Sequence, residues 1–329
     1  MIKRNTGREV FVAFAVTSAL TLASSAAMVA PSRAATEGRA DGDSRAAQPT
    51  LAHVASLPRT PGVEIPVALV IGADAEVLDF TGPLEVFAAA WTPEGKPLFK
   101  PYFVAGESEP VLVGGNMRVV PDYTFANAPA PKVIVIPAMS EHNPEMVDWI
   151  RRAAAGTDVT MSVCNGAFVL ARTGLLDGRP ATAHHGGYFR FAGAFPEVQL
   201  QRGARYVETG NLASSGGISS GIDLALRVVA RYLGEAEAHA IVDAMEYQSS
   251  GWLDPGSNAT YARLPESSAQ SPICPLCQMT ASTDIRSEYR GRTYYFCAES
   301  EKEYFDAHPE VVDRFLEEDA ARGSESRRQ

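Results

Sequence analysis

Basic residues, cysteines and long apolar runs are all scarce in this chain of 329 residues. Lys and Arg number 29 against 39 Asp and Glu, a net charge of −10, and this balance indicates that nucleic acid is not a partner, because phosphate binding requires clustered basic side chains. Four cysteines exclude a disulfide-rich scaffold. Beyond the N-terminal region no stretch is long and apolar enough to span a bilayer. The remaining composition, 46% apolar and 21% charged, predicts a globular protein with a packed core.

The N-terminal segment has the pattern of a secretory signal peptide. A basic start precedes a nearly uncharged run over 10–30, and the small residues Ser32 and Ala34 suit cleavage after Ala34. An uncleaved anchor is the alternative, but the abundance of Ala and Ser in the run favours cleavage. We therefore predict a signal peptide over 1–34, a flexible linker over 35–63, and a mature protein in the periplasm that does not contact a membrane.

Alternating strand and helix patterns fill the middle of the chain. Residues 66–71 and 132–137 are short runs that are apolar on both faces, which is typical of strands in a parallel sheet. Helical patterns follow, for example at 144–155, and another helix is predicted to start at Pro83. The alternation predicts an α/β domain over 64–250, with a doubly wound, mainly parallel sheet sandwiched by helices.

Cys164 lies where a predicted strand runs directly into a predicted helix. The strand covers 159–163 and the helix begins near Ala167, which places Cys164 at the carboxyl edge of the sheet, where open α/β folds bind ligands. Gly166 suits a sharp turn, and a helix N-terminus lowers the pKa of a thiol. Cys164 is therefore a candidate thiolate nucleophile, and the alternative is a buried structural cysteine.

Three segments in order along the chain resemble the ThiJ/PfpI superfamily. Residues 162–184 around Cys164 resemble its nucleophile turn, 77–83 resemble its acidic motif, and 214–226 resemble its late glycine-rich turn and helix. The similarity points to the isonitrile hydratase branch and to the sensor domains of AraC-type regulators. It implies a flavodoxin-like fold of the class I glutamine amidotransferase type.

The resemblance also implies roles for individual residues. Cys164 would be the nucleophile and Asp79 the acid or base facing it, and the two would share a proton because a carboxylate repels a thiolate. His184 would approach the thiol. On the residues alone, Asp79 also suits a helix N-terminal cap and His184 a structural histidine. Four residues would line the pocket and offer N–H groups to a developing anion: Asn165, Gly166, Ala138 and Met139.

The predicted function follows from this pair of residues. The sulfur of Cys164 would attack the terminal carbon of an isonitrile, and Asp79 would supply a proton and then activate water, giving a formamide. Where the family has a Gly-Gly pair, this chain has Ala138-Met139, so the substrate stays open. We therefore predict an exported, Cys-dependent hydratase or hydrolase for a small electrophile, without a cofactor in this domain. The alternatives are a non-catalytic periplasmic sensor or binding protein for a small molecule or metal, and a glyoxalase- or deglycase-type stress protein; a homodimer is compatible with each.

A second linker, 251–270, precedes a small aromatic-rich module over 271–322, and 323–329 is predicted to be a disordered tail. About fifty residues bury little core, so a metal or a disulfide is expected to stabilise the module. The module resembles YHS modules, relatives of TRASH-type heavy-metal domains, at Cys277 and Cys297.

The ligand set of this predicted metal site departs from the YHS pattern. Glu301 stands where the family has a third cysteine, and Cys274 is an additional thiol. Three thiols plus Glu301 or Met279 could complete a tetrahedral site for Zn(II) or Cu(I), and a carboxylate favours zinc. A Cys274–Cys277 disulfide is the alternative in an oxidising compartment.

Overall fold

The chain folds into alternating strands and helices, which a computed structural model describes over residues 56–92, 95–140 and 143–325. The predicted signal peptide, 1–34, and residues 35–55 of the predicted linker lie outside the described residues. Among the described residues the strands are β1 (Ile65–Val70), β2 (Phe99–Ala105), β3 (Val111–Leu112), β4 (Arg118–Val119), β5 (Tyr123–Thr124), β6 (Val133–Ile136), β7 (Val159–Ser162), β8 (Pro180–Ala181), β9 (Gln199–Leu200), β10 (Tyr206–Thr209), β11 (Leu212–Ser215), β12 (Ser282–Tyr289) and β13 (Arg292–Phe296). The α-helices are α1 (Val77–Ala88), α2 (Pro144–Ala154), α3 (Gly166–Arg172), α4 (Tyr188–Ala194), α5 (Ser220–Leu233), α6 (Glu235–Ala244), α7 (Glu299–Ala307) and α8 (Pro309–Glu325).

Seven of the strands form one sheet in the order β10-β11-β7-β6-β1-β2-β5. Neighbouring strands are parallel except β10 and β11, which pair antiparallel at one edge. Because side chains alternate along a strand, β1 sends Val67 and Leu69 into one apolar layer and Ala68 and Val70 into the other. Helices α1, α5 and α6 cover the first layer, and α2, α3 and α4 cover the second. The predicted doubly wound α/β fold is confirmed.

Helix α1 starts earlier than predicted. It begins at Val77, so Pro83, predicted as its first residue, lies inside it. A proline has no N–H to donate to the carbonyl four residues earlier, which weakens a helix locally. Phe80 and Phe87 are fully buried against the sheet, and this packing compensates for the missing bond. The earlier start places Asp79 in the first turn of the helix.

The C-terminal residues form a small α+β unit of the β12–β13 hairpin, α7 and α8. Phe305 of α7 stacks on Phe189 of α4 with ring centroids 5.6 Å apart, and Phe315 of α8 meets the same ring at 6.1 Å. The buried Arg202 donates hydrogen bonds of 2.8 Å to the carboxylates of Glu318 and Asp319. The unit therefore shares the second apolar layer with the α/β domain.

The segment predicted as the second linker contains a buried anchor. Trp252 is 1% exposed, and its carbonyl accepts a hydrogen bond of 2.8 Å from the hydroxyl of Tyr206. Helix α8 continues to Glu325, three residues into the segment predicted as a disordered tail. Across the described ranges, no helix has both the length and the apolar character needed to cross a membrane.

Candidate active site and metal centre

Cys164 occupies the turn between β7 and α3. Its backbone is left-handed, with φ of +58°, a conformation that non-glycine residues rarely adopt and that is concentrated at functional sites. Its N–H donates to the carbonyl oxygens of Ser215 at 3.2 Å and Gly216 at 3.0 Å, at the end of β11. These bonds hold the turn at the carboxyl edge of the sheet, where Cys164 is 6% exposed.

Asp79 brings a buried carboxyl group to the same place. Its Oδ2 accepts a hydrogen bond of 2.9 Å from the N–H of Ala138, and its Oδ1 has no hydrogen-bond partner among the described residues. Burial raises the pKa of Asp79 to about 7; the N–H of Ala138 lowers it, the charge of Glu76 raises it, and a weak interaction with the Cys164 thiol lowers it. Glu76, not Asp79, occupies the N-cap position of α1, so the capping interpretation of Asp79 is wrong.

The thiol of Cys164 is not acidified, contrary to the prediction. Burial raises the pKa of Cys164 to about 12, and the negative charges of Asp79 and Glu76 add to the rise. Helix α3 spans only seven residues, so its dipole is small, and it does not outweigh the loss of hydration. At neutral pH the thiol therefore keeps its own proton and Cys164 is not a free thiolate, while a proton shared with Asp79 stays a prediction.

Two backbone N–H groups act on the Cys164 sulfur, and each lowers the pKa of the thiol. One belongs to Ile218, in the turn after β11, and the other to Asn165. Sequence reasoning identified the glycine-rich segment that contains Ile218 but not this role. The backbone of Ile218 has a φ of +37°, which is unusual for a β-branched residue and marks this position in the structure. The sequence does not reveal this backbone conformation.

Two other predicted N–H donors are already engaged. The N–H of Ala138 binds the carboxylate of Asp79, and the N–H of Gly166 donates to the carbonyl of Val163 at 2.8 Å. Both N–H groups are therefore satisfied within the fold, and a role for either in stabilising a developing anion stays a prediction. Met139 packs half-buried against both apolar layers, and its role in the pocket stays a prediction.

His184 packs against the glycine-rich turn next to the nucleophile. A Cβ added at Gly217, the residue before Ile218, would lie 3.0 Å from its Nε2 and closer still to its Cδ2. Its Nδ1 accepts a hydrogen bond of 3.1 Å from the N–H of Gly186, and burial lowers its pKa, so the ring is neutral at pH 7. A direct catalytic role for His184 stays a prediction.

Replacing Asp79 by asparagine would isolate the cost of ionising the buried carboxyl. The pKa of Asp79 is near 7 in the folded protein and an ordinary 3.8 in the unfolded chain, so the folded protein binds this proton more tightly than the unfolded chain does. The free energy of unfolding of the wild type therefore falls as the pH rises from about 4 to 7. Asparagine does not ionise and can still accept the bond from Ala138. In urea unfolding, we expect the free energy of unfolding of Asp79→Asn to rise relative to that of wild type by up to about 4 kcal/mol between pH 4 and pH 8. A difference in free energy between the two proteins that does not change with pH would contradict this.

The second candidate site is a cluster of three thiols in the C-terminal unit. The Sγ atoms of Cys274, Cys277 and Cys297 all lie within 4.8 Å of one another, and those of Cys277 and Cys297 are 3.5 Å apart. Thiolates bound to a tetrahedral Zn²⁺ at about 2.3 Å would lie about 3.8 Å apart. All four cysteines of the chain are free, so the alternative disulfide is absent. The cluster therefore has the spacing of a metal site.

The turn that carries Cys274 and Cys277 is held by its own backbone. The N–H of Gln278 donates to the carbonyl of Cys274 at 2.8 Å, and the N–H of Cys274 donates to the carbonyl of Met279 at 2.9 Å. The side chain of Met279 is 60% exposed, and a role for its sulfur as a ligand stays a prediction. Burial raises the pKa of Cys277 to about 12, and the N–H of Met279 lowers it.

Glu301 is the predicted fourth donor, but its carboxylate is not part of the group of ligand atoms within 4.8 Å of one another, which among the described residues holds only the three cysteines. Its Oε1 accepts a hydrogen bond of 2.7 Å from Arg190 of α4, while its Oε2 is buried without a partner among the described residues. Burial raises the pKa of Cys297, and Cys274 and the charge of Glu301 add to the rise. The three thiols are donors that suit Zn²⁺, and completion of the set by Glu301 stays a prediction.

Comparison with known proteins extends this description. Isonitrile hydratase from Pseudomonas putida is 31% identical over 201 residues, which cover 59% of this chain and 83% of the hydratase. The HTH-type transcriptional regulator CdhR of Pseudomonas aeruginosa is 27% identical over 138 residues, so that the chain spans about two fifths of the regulator.

Solved structures show the same fold. A ThiJ/PfpI family protein from Pseudomonas syringae superposes with a TM-score of 0.51 at 24% identity, over 59% of this chain and 83% of that chain. An AraC family transcriptional regulator from Pseudomonas putida gives a TM-score of 0.50 at 18% identity, over 55% and 99%. The sequence profile of the DJ-1/PfpI family matches residues 66–231, about half of the chain, which includes both Asp79 and Cys164. The chain therefore belongs to the DJ-1/PfpI family.

Proposed function

We propose that the protein is a cysteine-dependent hydratase or hydrolase that acts on a small electrophile of the isonitrile type. The observation that carries the proposal is the pairing of Cys164, at a strained turn, with the buried carboxyl of Asp79. A carboxyl with a pKa near 7 and an unpartnered oxygen suits proton exchange near neutral pH. The identity with isonitrile hydratase over 83% of that enzyme's length supports it.

The first step forms a bond from sulfur to carbon. Because the pKa of the Cys164 thiol is about 12, its proton leaves as the sulfur attacks, not beforehand, and Oδ1 of Asp79 receives it. The N–H groups of Asn165 and Ile218 stabilise the charge on sulfur while the proton moves. Asp79 returns the proton to the isonitrile carbon, which leaves a thioimidate, R–N=CH–S, on the enzyme.

The second step consumes water. Asp79, again a carboxylate, removes a proton as the water oxygen adds to the thioimidate carbon, and it passes that proton to nitrogen. The resulting R–NH–CH(OH)–S adduct collapses: the C–S bond breaks, and the hydroxyl proton returns to the sulfur of Cys164 by way of Asp79. The sum is one isonitrile and one water converted to one N-substituted formamide, with both residues restored.

The charges around the sulfur favour a neutral substrate. Asp79 and Glu76 are both acidic, burial lowers the pKa of His184, and burial together with His184 lowers the pKa of His185 to about 4. The two histidines are therefore neutral at pH 7 and do not compensate a carboxylate or phosphate on the substrate. Isonitriles and aldehydes meet this requirement.

A substrate panel tests the proposal. Purified protein is incubated with neutral alkyl and aryl isonitriles, with 2-oxoaldehydes, and with an isonitrile that carries a carboxylate as the charged control, and the products are identified by NMR. Formamide from the neutral isonitriles, formed faster than from the charged one, supports the proposal. No product from any isonitrile would refute it, and lactate-type products from 2-oxoaldehydes alone would identify the glyoxalase alternative.

A non-catalytic sensor is the second candidate function, and one observation favours it: the pKa of the Cys164 thiol is raised, not lowered. The similarity to transcriptional regulators, one of which is 27% identical over its matched part, supports it. Saturable binding of an isonitrile or aldehyde with no product would identify this function.

We infer that the C-terminal unit binds a metal ion through its three thiols, and that it favours Zn²⁺ over Cu⁺ if the carboxylate of Glu301 completes the site. Cys274, Cys277 and Cys297 would hold the ion. Glu301 would move its unpartnered Oε2 to the fourth position while Arg190 binds the other oxygen. Bound zinc would stabilise the fold of this small unit, and no step of the reaction at Cys164 passes through it.

Glu301→Gln tests this ligand set. The amide has no negative charge to offer the metal, so we expect zinc affinity to fall by more than about tenfold, measured under reducing conditions by competition with a chromophoric chelator. Glu303→Gln, an exposed acid in the same helix α7, is the matched control and should keep the wild-type affinity. Fewer than one zinc per wild-type chain, or equal affinities for the two variants, would contradict the assignment.

A further inference from the structure

The thiol cluster touches the short turn that lies between it and Cys164. We call residues 184–187 the bridging turn. The side-chain Nε2 of Gln278 donates to the carbonyl of His185 at 3.2 Å. Gly186 lies so close to the same loop that an added Cβ would be 3.0 Å from the carbonyl oxygen of Cys277. A displacement of Cys277 would therefore press directly on the bridging turn.

The other side of the bridging turn contacts Asn165 and Gly217, the residue before Ile218. A Cβ at Gly187 would lie 3.2 Å from the Cγ of Asn165 and would clash with its Oδ1. The ring of His184 is pressed in the same way against Gly217, the neighbour of Ile218. Because these positions are glycines, the turn rests on Asn165 and on the Ile218 segment with no side chain between them.

The bridging turn is bonded within itself. His184 Nδ1 accepts the N–H of Gly186 at 3.1 Å, and the His184 and His185 rings stack with centroids 4.3 Å apart. His185 in turn stacks on Tyr261 at 4.4 Å. A segment held by these contacts transmits a shift at one side to the other side, because packed elements move as units.

We propose that metal occupancy of the thiol cluster regulates the reactivity of Cys164 through the bridging turn. The proposal rests on the metal site and the nucleophile proposed above. An ion bound to Cys277 holds the loop of Gln278 against the turn, and the turn holds the N–H groups of Asn165 and Ile218 toward the sulfur. Without the ion the loop relaxes, these N–H groups stabilise the thiolate less, and Cys164 reacts more slowly. The charged groups that act on the sulfur are Asp79 and Glu76, and both lie outside the bridging turn.

Peptide-resolved alkylation tests the coupling without an activity assay. Full-length protein loaded with one Zn²⁺, and the same protein stripped by a chelator under reducing conditions, are pulsed with iodoacetamide between pH 6 and pH 10. Mass spectrometry then quantifies the peptide that contains Cys164, separately from those of the cluster. We expect alkylation of Cys164 to be about fivefold or more slower in the stripped protein. Equal rates in the two forms would overturn the proposal.

A pair of glutamine variants locates the path. Gln278→Ala removes the hydrogen bond to His185 but no metal ligand, so the variant should still bind one zinc. Its Cys164 should be alkylated at nearly the same rate in the loaded and the stripped protein. Gln199→Ala is the matched control, because its Nε2 also donates to a backbone carbonyl, that of Gly178 at 2.9 Å, and it should keep the wild-type difference.

The outcomes separate the coupling from the two functions it rests on. If the alkylation rates of loaded and stripped Gln278→Ala differ as much as those of wild type, the proposed path through Gln278 and His185 is overturned. If the wild type does not bind zinc, the metal site itself is refuted. Absence of isonitrile turnover refutes the hydratase but does not change the alkylation rates.

Discussion

Replacing Cys164 by alanine is expected to abolish turnover, lowering kcat/KM for isonitriles by more than about 10³-fold. The sulfur forms the only covalent bond between the protein and the substrate in the proposed reaction, and the methyl group of alanine cannot replace it as a nucleophile. Formamide production by wild type and variant, followed by NMR at equal protein concentration, measures the effect. Turnover by Cys164→Ala within tenfold of wild type would refute nucleophilic catalysis.

The variant should remain folded, which makes a loss of turnover interpretable. Alanine meets the same backbone strain at φ of +58° as cysteine, and removing one sulfur from a site that is 6% exposed leaves a small cavity. Asp79→Asn is a companion that keeps the nucleophile and removes the proton acceptor, and it should lower turnover by about 10²-fold or more. If Asp79→Asn turned over at the wild-type rate while Cys164→Ala did not, the carboxyl would have no role in proton transfer.

The strand–turn–helix around Cys164 could be predicted because its signal is local. A β-branched run that ends at Val163, with Gly166 just after the turn, already determines which edge of the sheet the cysteine occupies. The start of α1 could not be predicted in the same way. Pro83 is a strong local signal for a helix N-terminus, and it is outweighed by the burial of Phe80 against the sheet, which is a tertiary effect.

The pKa values of the site depend on packing between residues that are distant in the sequence. The shift of the thiol pKa was therefore predicted in the wrong direction. The helix N-terminus next to Cys164 is visible in the sequence, whereas the burial that raises its pKa is not. The N–H of Ile218 reaches the sulfur from 54 positions away along the chain. Likewise, spacing alone made Met279 as good a ligand as Glu301, and only the exposure of one and the buried oxygen of the other separate them.

Gly166→Ala is expected to cost about 3 kcal/mol or more in the free energy of unfolding. A Cβ at this position would lie 2.8 Å from the carbonyl oxygen of Pro137 and would clash still more with that of Ile136. Both obstacles are backbone atoms at the end of β6, which cannot rotate away as a side chain would. The start of α3 must therefore move off the sheet edge and take Cys164 with it, so the loss of activity should exceed what the loss of folded protein explains.

Gly156→Ala is the matched control for this substitution. Gly156 also has no left-handed φ, but a Cβ there would meet only the carbonyl oxygen of Ala153 at 3.8 Å, an ordinary contact. We expect its free energy of unfolding in urea to stay within about 1 kcal/mol of wild type. Similar stabilities for the two variants would mean that α3 can withdraw from β6 at little cost. The turn would then not hold Cys164 rigidly opposite Asp79, and the proton exchange on which the proposed reaction depends would lose its structural basis.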